Sequence, residues 1–219
     1  MAKVVFISTF DECCKGIRYL MSAARLAGHE AHTILLKTFA ECRQPIPPRN
    51  NEGYYGELFH VTEEELHLTF NQIKTVNPDI IGISVFSHYH GVCKWLTRHL
   101  HREFPNLPIL WGGVDVTYNP DVAIQYADLI CISDGEGPMV DILNAIQKGD
   151  DFSEIDNLWV RNKDGSISKR PLRPLDKDIS NLPIPAYSPE NFWEIRGSSI
   201  KPFAPSETSW RSAAAACIK

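Results

Sequence analysis

The chain lacks most of the features that would assign it quickly. It has no apolar run long enough to span a bilayer or to form the core of a signal peptide; the first, Val4-Val5-Phe6-Ile7, opens directly into a strand pattern. It has no surplus of positive charge. Its 22 Lys and Arg stand against 27 Asp and Glu, a net charge of −5, so there is no basic field to hold nucleic acid or an acidic membrane. Its six cysteines (13, 14, 42, 93, 131 and 217) form no C-x-x-C pair and no regular framework, which excludes a disulfide scaffold and a zinc ribbon. The expectation is a reduced, cytoplasmic protein with no nucleic-acid and no membrane partner. No internal repeat is present. What remains is ordinary: 43% hydrophobic and 22% charged residues in 219, enough for one core and an appendage.

Strand and helix patterns alternate along the first 150 residues. Strands are predicted over about 3–8, 30–36, 80–85, 109–111 and 129–132. Helices are predicted over about 14–27, from Thr62 onward, over 91–104 and over 137–148. Gly28 stops the first helix, and Thr62-Glu63-Glu64-Glu65 reads as a capping box. Such alternation implies right-handed crossovers and a parallel sheet, here a flavodoxin-like doubly wound α/β domain of five strands in the order 2-1-3-4-5. Residues 40–60 break the pattern with Pro45, Pro47, Pro48 and Gly53. After Gly149, Leu158-Trp159-Val160 and Ile167-Ser168 flank Asn162-Lys163-Asp164-Gly165, a β-hairpin signature. Prolines then recur at 171, 174, 183, 185 and 189. The expected division is a binding domain over 1–150, a hairpin and proline-rich linker over 151–190, and a lead-in segment over 191–219. The arm from about 171 onward is expected to lack a packing partner.

Four loops follow the predicted strands, and in a parallel sheet they share one edge, where ligands bind. The first carries Thr9, Phe10, Asp11, Cys13 and Gly16; the second Ser84, Phe86, Ser87 and His88. The third carries Gly112, Gly113, Val114 and Thr117; the fourth Ser133, Asp134, Gly135, Glu136 and Gly137. Any one of these glycines is explained by a tight turn. Four small, polar or glycine-rich loops on one edge indicate a large ligand approached closely by backbone. His88-x-His90 sits on this edge without the third and fourth ligands that zinc requires, and His99 and His101 diverge on a helix.

At these residues the chain resembles the cobalamin (vitamin B12)-binding domain of cobalamin-dependent radical S-adenosylmethionine (SAM) enzymes. The resemblance covers roughly residues 3–190. It rests on Gly16-Ile17-Arg18-Tyr19-Leu20, Gly28-His29-Glu30, Pro78-Asp79-Ile80-Ile81-Gly82-Ile83-Ser84, Trp111-Gly112-Gly113-Val114-Asp115-Val116-Thr117, Asp134-Gly135-Glu136-Gly137 and Leu182-Pro183-Ile184-Pro185-Ala186-Tyr187. Related corrinoid domains carry Asp-x-His-x-x-Gly, Ser-x-Leu and Gly-Gly; here they read Asp11-x-Cys13-x-x-Gly16, Ser84-Val85-Phe86 and Gly112-Gly113.

The resemblance implies a cobalamin cofactor whose nucleotide tail enters a slot beside Ser84 and the glycine pair. Cys13 replaces the histidine that would ligate cobalt, which implies base-off binding without a His ligand. Cys13 is expected to line the lower face rather than to act as a metal ligand. The resemblance also implies a partner domain, in cis or in trans, opening with Cys-x3-Cys-x2-Cys for a [4Fe-4S] cluster and S-adenosylmethionine. Glu207-Thr208-Ser209 resembles its lead-in, but only Cys217 follows. The expectation is therefore a corrinoid-binding domain of a methyltransferase-type enzyme, without its radical SAM domain and catalysing nothing alone. The alternatives are a corrinoid-protein subunit of a mutase or methyltransferase, and a flavodoxin-like nucleotide- or flavin-binding module.

Overall fold

The computed structural model describes residues 1–38, 60–175 and 177–203. The irregular stretch expected over 40–60 therefore lies, apart from His60, outside the described residues. So do Cys42, the lead-in at 207–209, the alanine run at 213–216 and Cys217.

The chain folds as β1 (Lys3–Phe10), α1 (Lys15–Leu26), β2 (Glu30–Thr38), α2 (Glu63–Val76), β3 (Ile80–Ser84), α3 (His90–Glu103) and β4 (Ile109–Gly112). Two short helices follow, α4 (Val114–Tyr118) and α5 (Pro120–Ala123), then β5 (Leu129–Cys131) and α6 (Glu136–Lys148). The remainder forms β6 (Leu158–Arg161), β7 (Ile167–Lys169), β8 (Phe192–Arg196) and β9 (Ser199–Pro202). All are joined in one sheet, ordered β7-β6-β5-β4-β3-β1-β2-β8-β9. Its middle, β5-β4-β3-β1-β2, is parallel throughout and has the order expected from the sequence.

β1 is central and buried on both faces, so its sequence is a continuous apolar run rather than an alternation. Val5 and Ile7 face the layer of α2 and α3, where they meet Phe70, Ile73, Leu96 and Leu100. Val4 and Phe6 face the layer of α1 and α6, with Ile17, Met21, Met139 and Ile142. α2 starts at a complete capping box. The Glu65 amide donates to Thr62 Oγ1 at 3.2 Å, and the Thr62 amide donates to Glu65 Oε2 at 2.8 Å.

Three regions add to or depart from expectation. The expected hairpin forms as β6–β7, and it also joins the sheet, because β6 pairs antiparallel with β5. α4 and α5 occupy a stretch for which the sequence suggested no element. The arm does have a partner surface. β8 pairs in parallel with β2, from Thr33↔Phe192 to Leu36↔Ile195, and β9 closes a second hairpin on it. Residues 192–196 and 199–202 thus belong to the sheet. The physical reason is the edge of β2, whose ladder groups need a partner, together with burial of Phe192, Ile195 and Phe203. The proline-rich stretch before β8 lies along α1, and Arg173 ahead of it is ion-paired with Asp141 of α6.

Glu65 ties this added hairpin to the rest. Its side chain is 1% exposed; Oε1 accepts from the Gly197 amide at 2.9 Å and lies 3.2 Å from Lys37 Nζ. Burial alone would raise its pKa, but the Thr62 and Gly197 amides and Lys37 hold it below the ordinary glutamate range. Glu65→Ala strips the cap and leaves those donors without their acceptor. It is expected to lower stability by about 2–3 kcal/mol in urea unfolding followed by circular dichroism.

Candidate functional site

The edge loops enclose a cavity of about 220 Å³ on the α1–α6 side of the sheet. Phe6, Ile17, Leu20, Leu110, Met139 and Ile142 form its apolar walls. Gly16, Ser84, Gly112, Gly113, Ser133, Asp134, Gly135 and Glu136 line the rest. A drug-sized ligand site typically holds about 300–1,000 Å³, so this slot suits the narrow end of a larger molecule.

The slot depends on missing side chains. Gly82 in β3 pairs with Phe6 of β1, and a Cβ at Gly82 would come within 2.8 Å of Phe6 Cδ1. Gly113 has φ +106°, and a Cβ there would meet the Val85 carbonyl at 2.8 Å. Gly112, by contrast, faces open space and lies on the same face of β4 as Leu110. Left-handed backbone recurs around the edge at Phe10 (φ 60°), Cys14 (φ 46°) and Ser133 (φ 67°). Each costs a non-glycine residue about 1–3 kcal/mol, and such strain concentrates at functional sites.

A second, more open cavity of about 390 Å³ lies against Phe10, Asp11, Glu12, Cys13, Phe86, His88 and Tyr89. Asp11 organises its floor. The Cys13 amide donates to Asp11 Oδ1 at 3.1 Å, while Ser8 Oγ and Cys14 Sγ donate to the Asp11 carbonyl at 3.1 and 2.7 Å. Burial raises the Asp11 pKa, against the lowering effect of the Cys14 and Cys13 amides on its carboxyl. Burial also raises the Cys13 pKa, and the adjacent Asp11 adds to the effect, so the thiol stays protonated at neutral pH. Cys93 and Cys131 are pushed up to about 12 by burial. Among the described residues no three His, Cys, Asp or Glu side chains converge as a metal site.

A buried carboxylate joins the second and third loops. Asp115 accepts from Ser87 Oγ at 2.8 Å, pairs with His90 Nδ1 at 2.7 Å and accepts from Asn119 Nδ2 at 3.3 Å. Backbone bonds complete the clip: the Val85 amide donates to the Gly112 carbonyl at 2.8 Å, and the Asp115 amide to the Val85 carbonyl at 3.2 Å. Burial works against the Asp115 charge, but the bonds from His90 and Ser87 outweigh it and lower the pKa.

Of the residues singled out in the sequence, eight line the slot and five line the second cavity. The others support or miss them. Thr9 is buried with Oγ1 3.7 Å from Cys93 Sγ, away from both cavities. Ser87 serves the Asp115 clip. Thr117 Oγ1 donates to the Gly113 carbonyl and accepts from the Ser133 amide at 3.1 Å, tying the third loop to the fourth. Val114 is exposed at the rim, and Gly137 faces Arg173. Sequence reasoning missed the apolar walls, Asp115 and Arg18. Gly82, alone within Ile80-Ile81-Gly82-Ile83, was the available signal, since glycine inside a strand marks close approach.

No family model matches the chain. Over 127 residues it is 26% identical to an uncharacterized methyltransferase of Pyrococcus horikoshii; the match spans 55% of this chain and 28% of that protein. Over 103 residues it is 28% identical to the anaerobic magnesium-protoporphyrin IX monomethyl ester cyclase of Synechocystis; that match spans 46% of this chain and 20% of the cyclase. Among solved structures, the radical SAM methyltransferase TsrM of Kitasatospora setae, with cobalamin and a [4Fe-4S] cluster bound, superposes with a TM-score of 0.58 at 17% identity. The alignment covers 87% of this chain and 33% of TsrM. The cobalamin-dependent SAM radical enzyme OxsB, with aqua-cobalamin and SAM bound, gives 0.58 at 15%, covering 84% of this chain and 24% of OxsB. Cobalamin-dependent radical SAM enzymes contain this fold. The chain matches less than a third of each curated relative and about a quarter to a third of each solved structure.

The Asp115 clip carries a pH signature. A carboxyl whose folded pKa lies below its unfolded value of 3.8 contributes stability above about pH 4, and the contribution is lost as the pH falls through the folded pKa. Asp115→Asn is expected to cost about 1–3 kcal/mol at pH 7 and to make the acid limb of the stability profile shallower. Denaturant titrations between pH 3 and 7 measure both.

Proposed function

We propose that this chain is the cobalamin-binding part of a radical SAM enzyme of methyltransferase type and that it binds the cofactor base-off, without a histidine ligand. The observation that carries the reading is the slot at the strand ends. It has apolar walls and a polar edge, is lined by Gly82, Gly112 and Gly113, and leaves open space at Gly112 that a side chain would occupy. The likeness to TsrM and OxsB supports it.

Each side of the slot suits a different portion of the tail. The apolar walls take a flat aromatic base, where burial favours it by roughly 25 cal/mol per Å² of apolar surface. Ser84 offers a hydroxyl at the mouth, and the Gly112-Gly113 backbone admits the chain of the tail at close range. The first turn of α6, capped by Gly135 without a side-chain bond, leaves amide donors near the mouth. Asp11 holds the loop beneath the second cavity through Cys13, and the neutral Cys13 thiol is a poor cobalt ligand, because the thiolate is the ligating form. When bound, cobalamin would supply a cobalt centre able to relay a methyl group, with the radical chemistry belonging to a SAM domain in cis or in trans.

Incubation with hydroxocobalamin followed by desalting is expected to leave about one corrinoid per chain with a base-off visible spectrum. A chain that emerges colourless would overturn the reading. Gly112→Leu is the cleaner slot-filling variant, because its side chain enters open space, whereas Gly113→Leu also strains the backbone. Gly112→Leu is expected to lower retention at least tenfold with the fold intact.

Cys13→Ala separates two roles for the loop cysteine. Retention and the spectrum of the bound Co(III) form are expected to match those of the unsubstituted chain. A spectral change of the kind that loss of a sulfur ligand produces would assign Cys13 to cobalt instead.

A further inference from the structure

Arg18 is a buried cation outside both cavities, yet it touches the first edge loop and the arm together. Only 1% of the residue is exposed. Its Nε donates to the Cys13 carbonyl at 2.9 Å, and its Nη1 donates to the Ala186 carbonyl at 2.9 Å. Its own carbonyl accepts from the Ala186 amide at 3.0 Å. The guanidinium carbon lies 5.0 Å from the centre of the Tyr187 ring and 4.6 Å from that of Phe192. The two planar N–H directions of one guanidinium thus bridge the first edge loop and an arm residue 168 positions beyond Arg18 itself.

The helical spacing extends this grip. Ser22 Oγ donates to the Ile184 carbonyl at 2.7 Å, and Arg25 Nη2 donates to the Glu190 carbonyl at 2.9 Å. Residues 18, 22 and 25 lie four and three apart and so form one stripe of α1. The stripe holds the arm by its backbone carbonyls, which proline leaves intact. Of the three, only Arg18 also reaches the edge loop.

We propose that Arg18 is the positioning residue that couples the loop at residues 11–14 to docking of the arm on α1. The loop keeps its ligand-ready shape while residues 184–187 are seated and loosens when they leave. Its shape includes the left-handed Cys14, which is strained, and the Arg18 bond to Cys13 is one of the contacts that hold the backbone there. The arm is thereby a device that conditions the cofactor pocket, and its movement would change retention without touching the slot. The effect on the cofactor rests on the cobalamin reading; the coupling itself does not.

Hydrogen exchange on the free protein tests the coupling. The Ser22→Ala/Arg25→Ala double variant weakens the arm's hold without altering a loop or cavity residue. It is expected to speed exchange at 184–190 and, with it, at 11–14. Arg18→Lys, which keeps the charge but loses the fork, is expected to speed exchange in both segments with the helical circular dichroism retained. A loop that keeps its protection while the arm loses it, in either variant, overturns the proposal. If the double variant leaves the arm protected, Arg18→Lys decides alone. With hydroxocobalamin added, both variants are expected to release the corrinoid about tenfold faster, as loss of charge-assisted hydrogen bonds implies. By reciprocity, bound corrinoid should slow exchange of the Ala186 amide in the unsubstituted chain. A chain that retains no corrinoid overturns the cobalamin reading, while exchange in the free protein still decides the coupling.

Discussion

Gly113 presses its backbone against the Val85 carbonyl in a conformation that side chains rarely adopt, and the shape of the edge formed by the strand-end loops depends on that contact. With no Cβ between them, the third loop comes close enough for the Val85 amide to reach Gly112 and for the Asp115 amide to reach Val85. That approach brings the Asp115 carboxylate to Ser87 and His90. Thr117, one turn further on, then reaches Gly113 and the Ser133 amide. Three of the four edge loops are joined through these bonds, and the slot is the space left beneath them. A larger residue at 113 would separate the loops and leave buried polar groups without partners, which is the costly outcome.

The two cavities divide the edge chemically. The slot is apolar in its depth because Phe6 and Leu110, which line it from the sheet, sit on the face that α1 and α6 cover. The second cavity opens over a loop built from acidic residues and a protonated thiol, with Phe86, His88 and Tyr89 on its other side. A cofactor with a broad polar body and a narrow aromatic tail matches that division better than a compact nucleotide. Asp11 and Glu12 would also repel a phosphate placed at the first loop, which weighs against the flavin or nucleotide alternative.

The arm changes what the domain is. A proline-rich stretch carries few amide donors, so it cannot add itself to a sheet until its prolines end. It crosses α1 instead, held through carbonyls by Arg18, Ser22 and Arg25, and becomes a strand only at Phe192, beside β2. Glu65 then fixes the turn after that strand to the start of α2. Both ends of the sheet are closed by hairpins, one following α6 directly and one arriving after the crossing.

Local chemistry was enough to read the parallel core. Buried parallel strands require apolar runs such as Val4-Val5-Phe6-Ile7, the caps at Thr62 and Gly28 mark helix ends, and strand–helix alternation leaves few topologies. It was also enough to place the edge loops, because loops after parallel strands share one edge. Which of their residues line the cavities was not legible. Thr9 and Ser84 look alike in sequence, yet one turns inward to Cys93 and the other lines the slot, according to which layer of helices each side chain meets. Phe6 and Met139 belong to the core beneath α1 and α6 and also line the slot. Arg18 stands in sequence only as part of Gly16-Ile17-Arg18-Tyr19-Leu20 on the first helix. Its burial is decided by residues 186, 187 and 192, and no local pattern records a contact between segments so distant along the chain.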